Sequence, residues 1–317
     1  MSAVKGMQNI AVLGLMLVAT CAGLRALQAP AMNGPTVSVV VTVTGPGSKA
    51  AGVADRANVL VYQNHRRRPV VSWVRATDRT APLDLAVLVD ESLGPGFNIL
   101  LPDLGRFVRG LPSSARVAVV YSTYSNANFA QQFTIDHDRA ARAIRLPLGA
   151  AAGNLSIYLA AADLFKHWPA DSGRRRVVLL VSDGIDVYRG VADSAPGVNI
   201  DFSAGIRAFL RHGAIAYALY ASSAGSVSQN PILVTNGQSC LNLLARGTGG
   251  EAFFEGLRTP VSFNPFLRRV NYLLSSQYVL SFKAVPRAKA GREPVVVRTE
   301  LPGVQIKAPE EVWVPAR

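Results

Sequence analysis

Cysteine is nearly absent: the 317-residue chain has two, Cys21 and Cys240. If Cys21 leaves with a cleaved leader, no intramolecular disulfide can form, so a disulfide scaffold is excluded. Cys240 lies in the apolar helical pattern Ser239-Cys240-Leu241-Asn242-Leu243-Leu244-Ala245 and reads as a small buried hydrophobe rather than a catalytic thiol. Histidine is scarce as well. His65, His137, His167 and His212 stand singly, without the paired spacing a zinc site requires. Acidic residues are few, 20 against 33 Lys and Arg, and the formal charge is +13. No Gly-x-Ser-x-Gly elbow occurs, and no histidine falls in a strand-end loop near Ser92, so a serine hydrolase is not expected. The chain is read as a non-enzyme.

What is present begins with hydrophobic residues, 49% of the chain, enough to bury a core. Some of them serve the N-terminus. Lys5 is followed by an uncharged apolar run over residues 10–22, then by Ala22, Ala26, Ala29 and Pro30. That is the anatomy of a signal peptide, assigned to residues 1–29, and implies export to the periplasm, the cell surface or the medium. A single-pass anchor is the alternative, but Arg25 interrupts the apolar stretch and the mature chain is expected to hold no membrane span. Cys21, in Leu17-Val18-Ala19-Thr20-Cys21, has a faint likeness to a lipoprotein box and is a candidate lipid anchor. The positive surplus survives loss of Lys5 and Arg25. In an exported protein it points to an anionic envelope ligand or a protein partner rather than to nucleic acid. The clusters His65-Arg66-Arg67-Arg68 and Arg174-Arg175-Arg176 lack interleaved aromatics. They read as solvated charge, the first in a hairpin turn and the second on the approach to a strand.

Alternating β-branched residues predict strands at 36–44, 58–63 and 69–74, an N-terminal β segment assigned to 30–80. At residue 83 the texture changes. Residues 83–89 are almost continuously apolar, as a strand covered on both faces requires. Helical and strand patterns then alternate: helix to about 111, strand 116–124, helix 136–146, helix 156–165, strand 177–181. Helix 203–212, strand 214–220, helix 240–246, strand 251–254 and helix 264–274 follow. This predicts an α/β fold with a doubly wound, mostly parallel sheet over 81–275. The C-terminal β segment, 276–317, has strands at 278–282, 294–300 and 311–314. Neither flank has strands enough to stand alone, so the two are expected to pair into one small β-sandwich. Trp73 and Trp313 are its candidate core residues.

Ligands of open α/β sheets bind outside the carboxyl ends of the strands. Two such ends carry Asp90-Glu91-Ser92-Leu93-Gly94 and Ser182-Asp183-Gly184-Ile185-Asp186. Together they resemble the metal-ion-dependent adhesion site of von Willebrand factor A domains, in which an Asp-x-Ser-x-Ser loop, a threonine and a further aspartate meet. Asp90, Ser92 and Asp183 match that pattern and are the candidate metal ligands. Two positions depart from it. Gly94 replaces the second serine, and Leu155 stands where the threonine hydroxyl belongs; Ser156 can substitute only if its loop shifts by one residue. The site is therefore expected to be degenerate, holding Mg²⁺ or Ca²⁺ weakly and largely through water, with Glu91 and Asp186 as auxiliary oxygens.

The likeness runs along most of the chain. Val39-Val40-Val41-Thr42-Val43-Thr44-Gly45 followed by Val59-Leu60-Val61-Tyr62-Gln63-Asn64, then the stretch from Ala245 to Phe253 and Tyr278-Val279-Leu280-Ser281-Phe282, are similar to successive motifs of the acidobacterial VWFA-related domain family. Leu60 and Asn64 depart from that family's aromatic and acidic residues. The resemblance implies a secreted binding protein, with no particular ligand. The alternative is a structural envelope-assembly domain whose site is vestigial and free of metal.

Overall fold

The computed structural model describes residues 34–45, 55–148, 155–171 and 173–316. The leader, Cys21 and residues 149–154 lie outside that set. β1 (Thr36–Thr44) turns its alternation into an apolar face of Val37, Val39, Val41 and Val43, all buried. β2 (Leu60–Gln63) and β3 (Arg66–Arg68) form a hairpin. Its two linking residues, Asn64 and His65, both have positive φ (49° and 62°), the conformation that matches strand twist in a two-residue turn. β4 (Val70–Arg75) follows. The turn is thus confined to Asn64 and His65, while the expected turn residues Arg66 to Arg68 are a strand. Arg68 is buried, not solvated, and donates to the Lys283 and Ala284 carbonyls at 2.7 and 3.2 Å.

β5 (Leu83–Asp90) is buried at every position. Helix Leu101–Arg109, β6 (Arg116–Thr123), β7 (Asn126–Thr134) and helices His137–Arg142 and Ile157–Leu164 come next. β8 (Arg175–Ser182), helix Ile200–His212, β9 (Ala214–Tyr220), helix Pro231–Gly247, β10 (Glu251–Phe253) and helix Asn264–Ser275 complete the unit. Its six-stranded sheet has the order β10-β9-β8-β5-β6-β7. All neighbours are parallel except β6 and β7. Both faces are covered. Leu85, Val87 and Val89 pack with Phe97, Leu104 and Val270; Ala86 and Leu88 pack with Tyr158, Phe209 and Leu241. This is a doubly wound α/β layer structure.

β11 (Gln277–Lys283), β12 (Gly291–Arg298), β13 (Gln305–Lys307) and β14 (Glu311–Val314) return to the N-terminal strands. The sheets β13-β1-β11-β4 and β14-β12-β2-β3 enclose a valine-rich core of Val39, Val41, Val61, Leu280, Phe282 and Val297. The two flanks therefore form one β-sandwich. The tryptophans sit at its margins. Trp73 is half-buried and stacks on Tyr278, ring centroids 4.6 Å apart. Trp313 turns out of the sandwich toward helix Ile200–His212, with the Arg211 guanidinium 4.8 Å above its ring.

The arginines at the start of β8, Arg174 just before it and Arg175 and Arg176 within it, are also structural, and the solvated-charge reading does not hold for them. Arg174 and Arg116 share the buried carboxylate of Asp84 at 2.5 to 2.8 Å. Arg175 is buried, and Arg176 donates to the His212 carbonyl at 3.0 Å.

Candidate functional site

The chain runs from β5 to β6 on one side and then returns to lay β8 on the other side of β5. The carboxyl ends of β5 and β8 therefore flank a point where strand order reverses, the place where open α/β sheets leave a crevice. Val89 is in register with Val181, so Asp90 and Asp183 leave neighbouring strands at the same edge.

Asp90 is buried. Its Oδ1 accepts from the Ser92 N–H at 3.0 Å and the Ser92 hydroxyl at 2.8 Å, and its Oδ2 from the Ser182 hydroxyl at 2.6 Å. The Ser122 hydroxyl, at the end of β6, lies 3.5 Å from the same carboxylate. Asp183 accepts from the Ile185 N–H at 2.9 Å and the Ser223 N–H at 3.3 Å. Burial, and next to it the charge of Asp90, push the Asp183 carboxyl up to about 7; the donors from Ile185 and Ser223 pull the other way. Asp183 therefore keeps a proton far above the ordinary carboxylate range. The Ser223 hydroxyl is buried beside Asp183 yet meets no partner at hydrogen-bond geometry.

Asp90, Ser92 and Asp183 come together. The auxiliary oxygens do not join them. Glu91 turns away, accepting from Arg145 at 2.6 Å and from the Leu148 N–H at 2.5 Å. Asp186 accepts from the Ser156 hydroxyl at 2.6 Å and the Tyr188 N–H at 3.1 Å. Ser156 is thereby committed: it caps helix Ile157–Leu164 through the Leu159 N–H and is not available in place of the missing threonine. Leu155 is buried in that position. Ser122, Ser182 and Ser223 complete the cluster, and sequence reasoning passed over them. Each is a serine at or just after the end of an apolar strand, a position with no periodic signature; their only signal is the strand end itself.

Among the described residues no group of three or more His, Cys, Asp or Glu side chains is placed to hold a metal ion. Two carboxylates and the Ser92 hydroxyl are fewer oxygens than a closed hard-cation site uses, and Asp90 has spent both oxygens on protein donors. The donor set fits a loosely held, largely hydrated cation and no tighter one. Thiol chemistry finds no support at Cys240, which is fully buried and pushed up to about 12 by that burial.

No protein-family model matches the chain, and no curated protein does. Solved structures with a similar chain path include the conserved hypothetical protein BatB from Bacteroides thetaiotaomicron, at 12% identity and a TM-score of 0.44, covering 61% of this chain and 97% of that one. Manganese-loaded TRAP protein from Plasmodium vivax is similar at 12% identity and a TM-score of 0.40, with 82% and 99% covered. Proximal thread matrix protein 1 from the mussel byssus, with a zinc-occupied MIDAS motif, is similar at 14% identity and a TM-score of 0.42, with 66% and 48% covered.

Proposed function

We propose that the chain is an exported binding module of the von Willebrand factor A type, with a degenerate metal-ion-dependent adhesion site and no catalytic activity of its own. The observation that carries this reading is the convergence of Asp90, Ser92 and Asp183 at the strand-order reversal. The surroundings favour a protein partner. Ile99, Tyr124, Tyr188 and Leu257 are 57%, 73%, 47% and 51% exposed on loops that follow β5, β6, β8 and β10 at this same edge, and apolar side chains gathered around one edge mark contact surfaces. Tyr124 has a φ of 47°, a costly conformation for an aromatic residue that presents it outward. The basic surplus makes an acidic partner or an anionic envelope surface the complementary ligand. Export has its own readout: the mature protein should begin between about residues 22 and 31 when its native N-terminus is read by mass spectrometry. No helix among the described residues is long and apolar enough to cross a membrane.

Mg²⁺ or Ca²⁺ at the three-residue site is expected to bind with roughly millimolar affinity, the weak end of extracellular calcium modules. At tenfold excess over that affinity a bound ion stabilises the fold by about 1.4 kcal/mol. Thermal melting with and without each ion, on the wild type and on the Asp90→Ala/Asp183→Ala variant, tests this. A rise in the wild type that the variant lacks supports a working site. No rise in either supports the vestigial reading, which the complete hydrogen bonding of Asp90 favours. The partner surface is tested separately, by crosslinking in envelope extract with Tyr124→Ser/Leu257→Ser; an unchanged crosslinking pattern would place the contact elsewhere.

A further inference from the structure

A second site lies at the opposite end of the parallel sheet. The face of the β1-β11-β4 sheet that turns away from the sandwich core carries Ser38, Val40, Val74 and Val279, with Val279 in register with both Val40 and Val74. It stands over the residues that lead into β5, β8 and β9. Between them is a cavity of 320 Å³, at the lower end of small-molecule pockets. Its apolar wall is Val40, Val74, Ala81 and Val279; its polar wall is Ser38, Thr80, Arg174, Arg175 and His212. No carboxylate lines it.

Arg175 is the unusual member. It is 5% exposed, and its Nη1 donates to two neutral acceptors, the Leu274 carbonyl at 2.6 Å and Gln277 Oε1 at 2.8 Å. Nε is buried and has no acceptor among the described residues. Its neighbour Arg174 is matched by Asp84, whereas Arg175 makes no ion pair among the described residues; the groups that act on it electrostatically are Tyr217 and, after it, the exposed Asp78. A buried guanidinium facing only neutral oxygens carries an uncompensated charge. His212 does not add to it, because burial and then Arg176 and Arg211 lower its pKa and keep the imidazole neutral. A second cavity of 210 Å³ shares Ser38, Val39, Val40, His212 and Gly213 with the first and extends to Trp313, with Arg211 and Glu311 in its far wall; any alkyl body is therefore placed on the valines of the first cavity. Arg174 being matched by Asp84, the first cavity offers one guanidinium without an ion-pair partner among the described residues, Arg175, beside a wall of Val40, Val74 and Val279.

We infer that this cleft between the sandwich and the parallel sheet binds a small organic anion, a carboxylate head with a short apolar body, through the Arg175 guanidinium. The planar fork of an arginine suits a carboxylate, and the valine-lined wall suits an alkyl chain. The inference is independent of the Asp90–Asp183 edge.

Calorimetric titration and thermal melting of the full chain with octanoate test it, with inorganic phosphate as the charge-only probe and octan-1-ol as the apolar-only probe. Saturable octanoate binding is expected, at least about tenfold tighter than either control. Arg175→Gln should weaken it by about tenfold to a hundredfold, the worth of a charged hydrogen bond. Val279→Phe fills the cavity from the sandwich side, leaves the Arg175 contacts to Leu274 and Gln277 in place, and should abolish binding; it decides the matter if Arg175→Gln does not fold. Asp90→Ala/Asp183→Ala should bind as the wild type does. Absence of saturable octanoate binding, controls that bind equally well, or wild-type affinity in Arg175→Gln or Val279→Phe would overturn the assignment.

Discussion

A carboxylate withdrawn from water must recover its lost hydrogen bonds from the protein, and two buried aspartates do so with opposite results. Asp84 is 1% exposed and is met by two guanidiniums, Arg116 through two bonds and Arg174 through one. Asp84→Asn keeps the volume, leaves Arg174 without a carboxylate and leaves Arg116 only the more exposed Asp171, so it should cost about 3 kcal/mol or more in urea unfolding. Asp183 has backbone donors but, among the described residues, no cation, and faces Asp90. Its folded pKa is raised, so over the interval from the ordinary carboxylate pKa to about 7 the native state holds a proton that the unfolded chain has released. Stability must therefore fall as pH rises through that interval and level off above it. Asp183→Asn removes this share of the slope. Asp90→Asn reduces it without abolishing it, because burial is the larger cause. Unfolding midpoints of the three proteins between pH 4.5 and pH 8 check the prediction; parallel profiles would contradict it.

Elements differ in how openly the chain announces them, and the reason is burial. β5, β8 and β9 are covered on both faces, so their middles are continuous apolar runs and are read directly. β7 is the edge strand, and its Asn126-Ala127-Asn128-Phe129-Ala130-Gln131-Gln132-Phe133-Thr134 has an alternating exposed and half-buried pattern. Its polar half hid it from a reading based on apolar runs. Three-residue β13 is too short for any period to show. Helix Pro231–Gly247 starts nine residues before the predicted start because its first turns are marked by the Asn230 cap and Pro231, end signals rather than periodicity. At the site, Asp90 and Asp183 stand out because charge follows an apolar strand, whereas Ser92 is singled out only by the likeness of its loop to a known motif; the structure brings the three side chains together. Ser182 does not stand out, since a buried serine that serves a carboxylate looks like the last residue of its strand. Turns offer a test of this local reasoning. In the β2–β3 hairpin, His65 is exposed at a φ of 62°. His65→Gly creates the favoured Asn-Gly pair and should stabilise the chain by about 0.5–1 kcal/mol in denaturant melts. Loss of stability would show that the imidazole makes a contribution its exposure does not suggest.

At the scale of the molecule, one C-terminal segment serves two units. Val312 and Val314 are buried in the sandwich core, and β14 pairs only with β12. The same stretch also lies against the α/β unit. The Glu310 N–H donates to the Gly247 carbonyl at 3.1 Å, Glu310 pairs with Arg246 at 2.8 Å, and Trp313 lies under Arg211. Lys307 on β13 pairs with Glu251 on β10. Gly249, at a φ of 86°, brings the backbone so near that an added Cβ would sit 3.0 Å from the Pro309 nitrogen. Removing residues 304–317 therefore strips two strands from the sandwich and the C-terminal ties between the units in one step, while the bonds of Gln277 with Arg175 and Tyr217 remain. The parallel sheet keeps all six of its strands and the helices on both its faces. The truncated chain should lose the single cooperative melt expected of the whole protein, because the sandwich is left without two of its strands and the interface without its C-terminal bonds. Protease should cut within residues 36–75 while 83–275 stays protected. If 83–275 is degraded as fast as the sandwich strands, the α/β unit depends on the sandwich for its own folding, and the C-terminal segment is part of its core rather than a clasp laid across it.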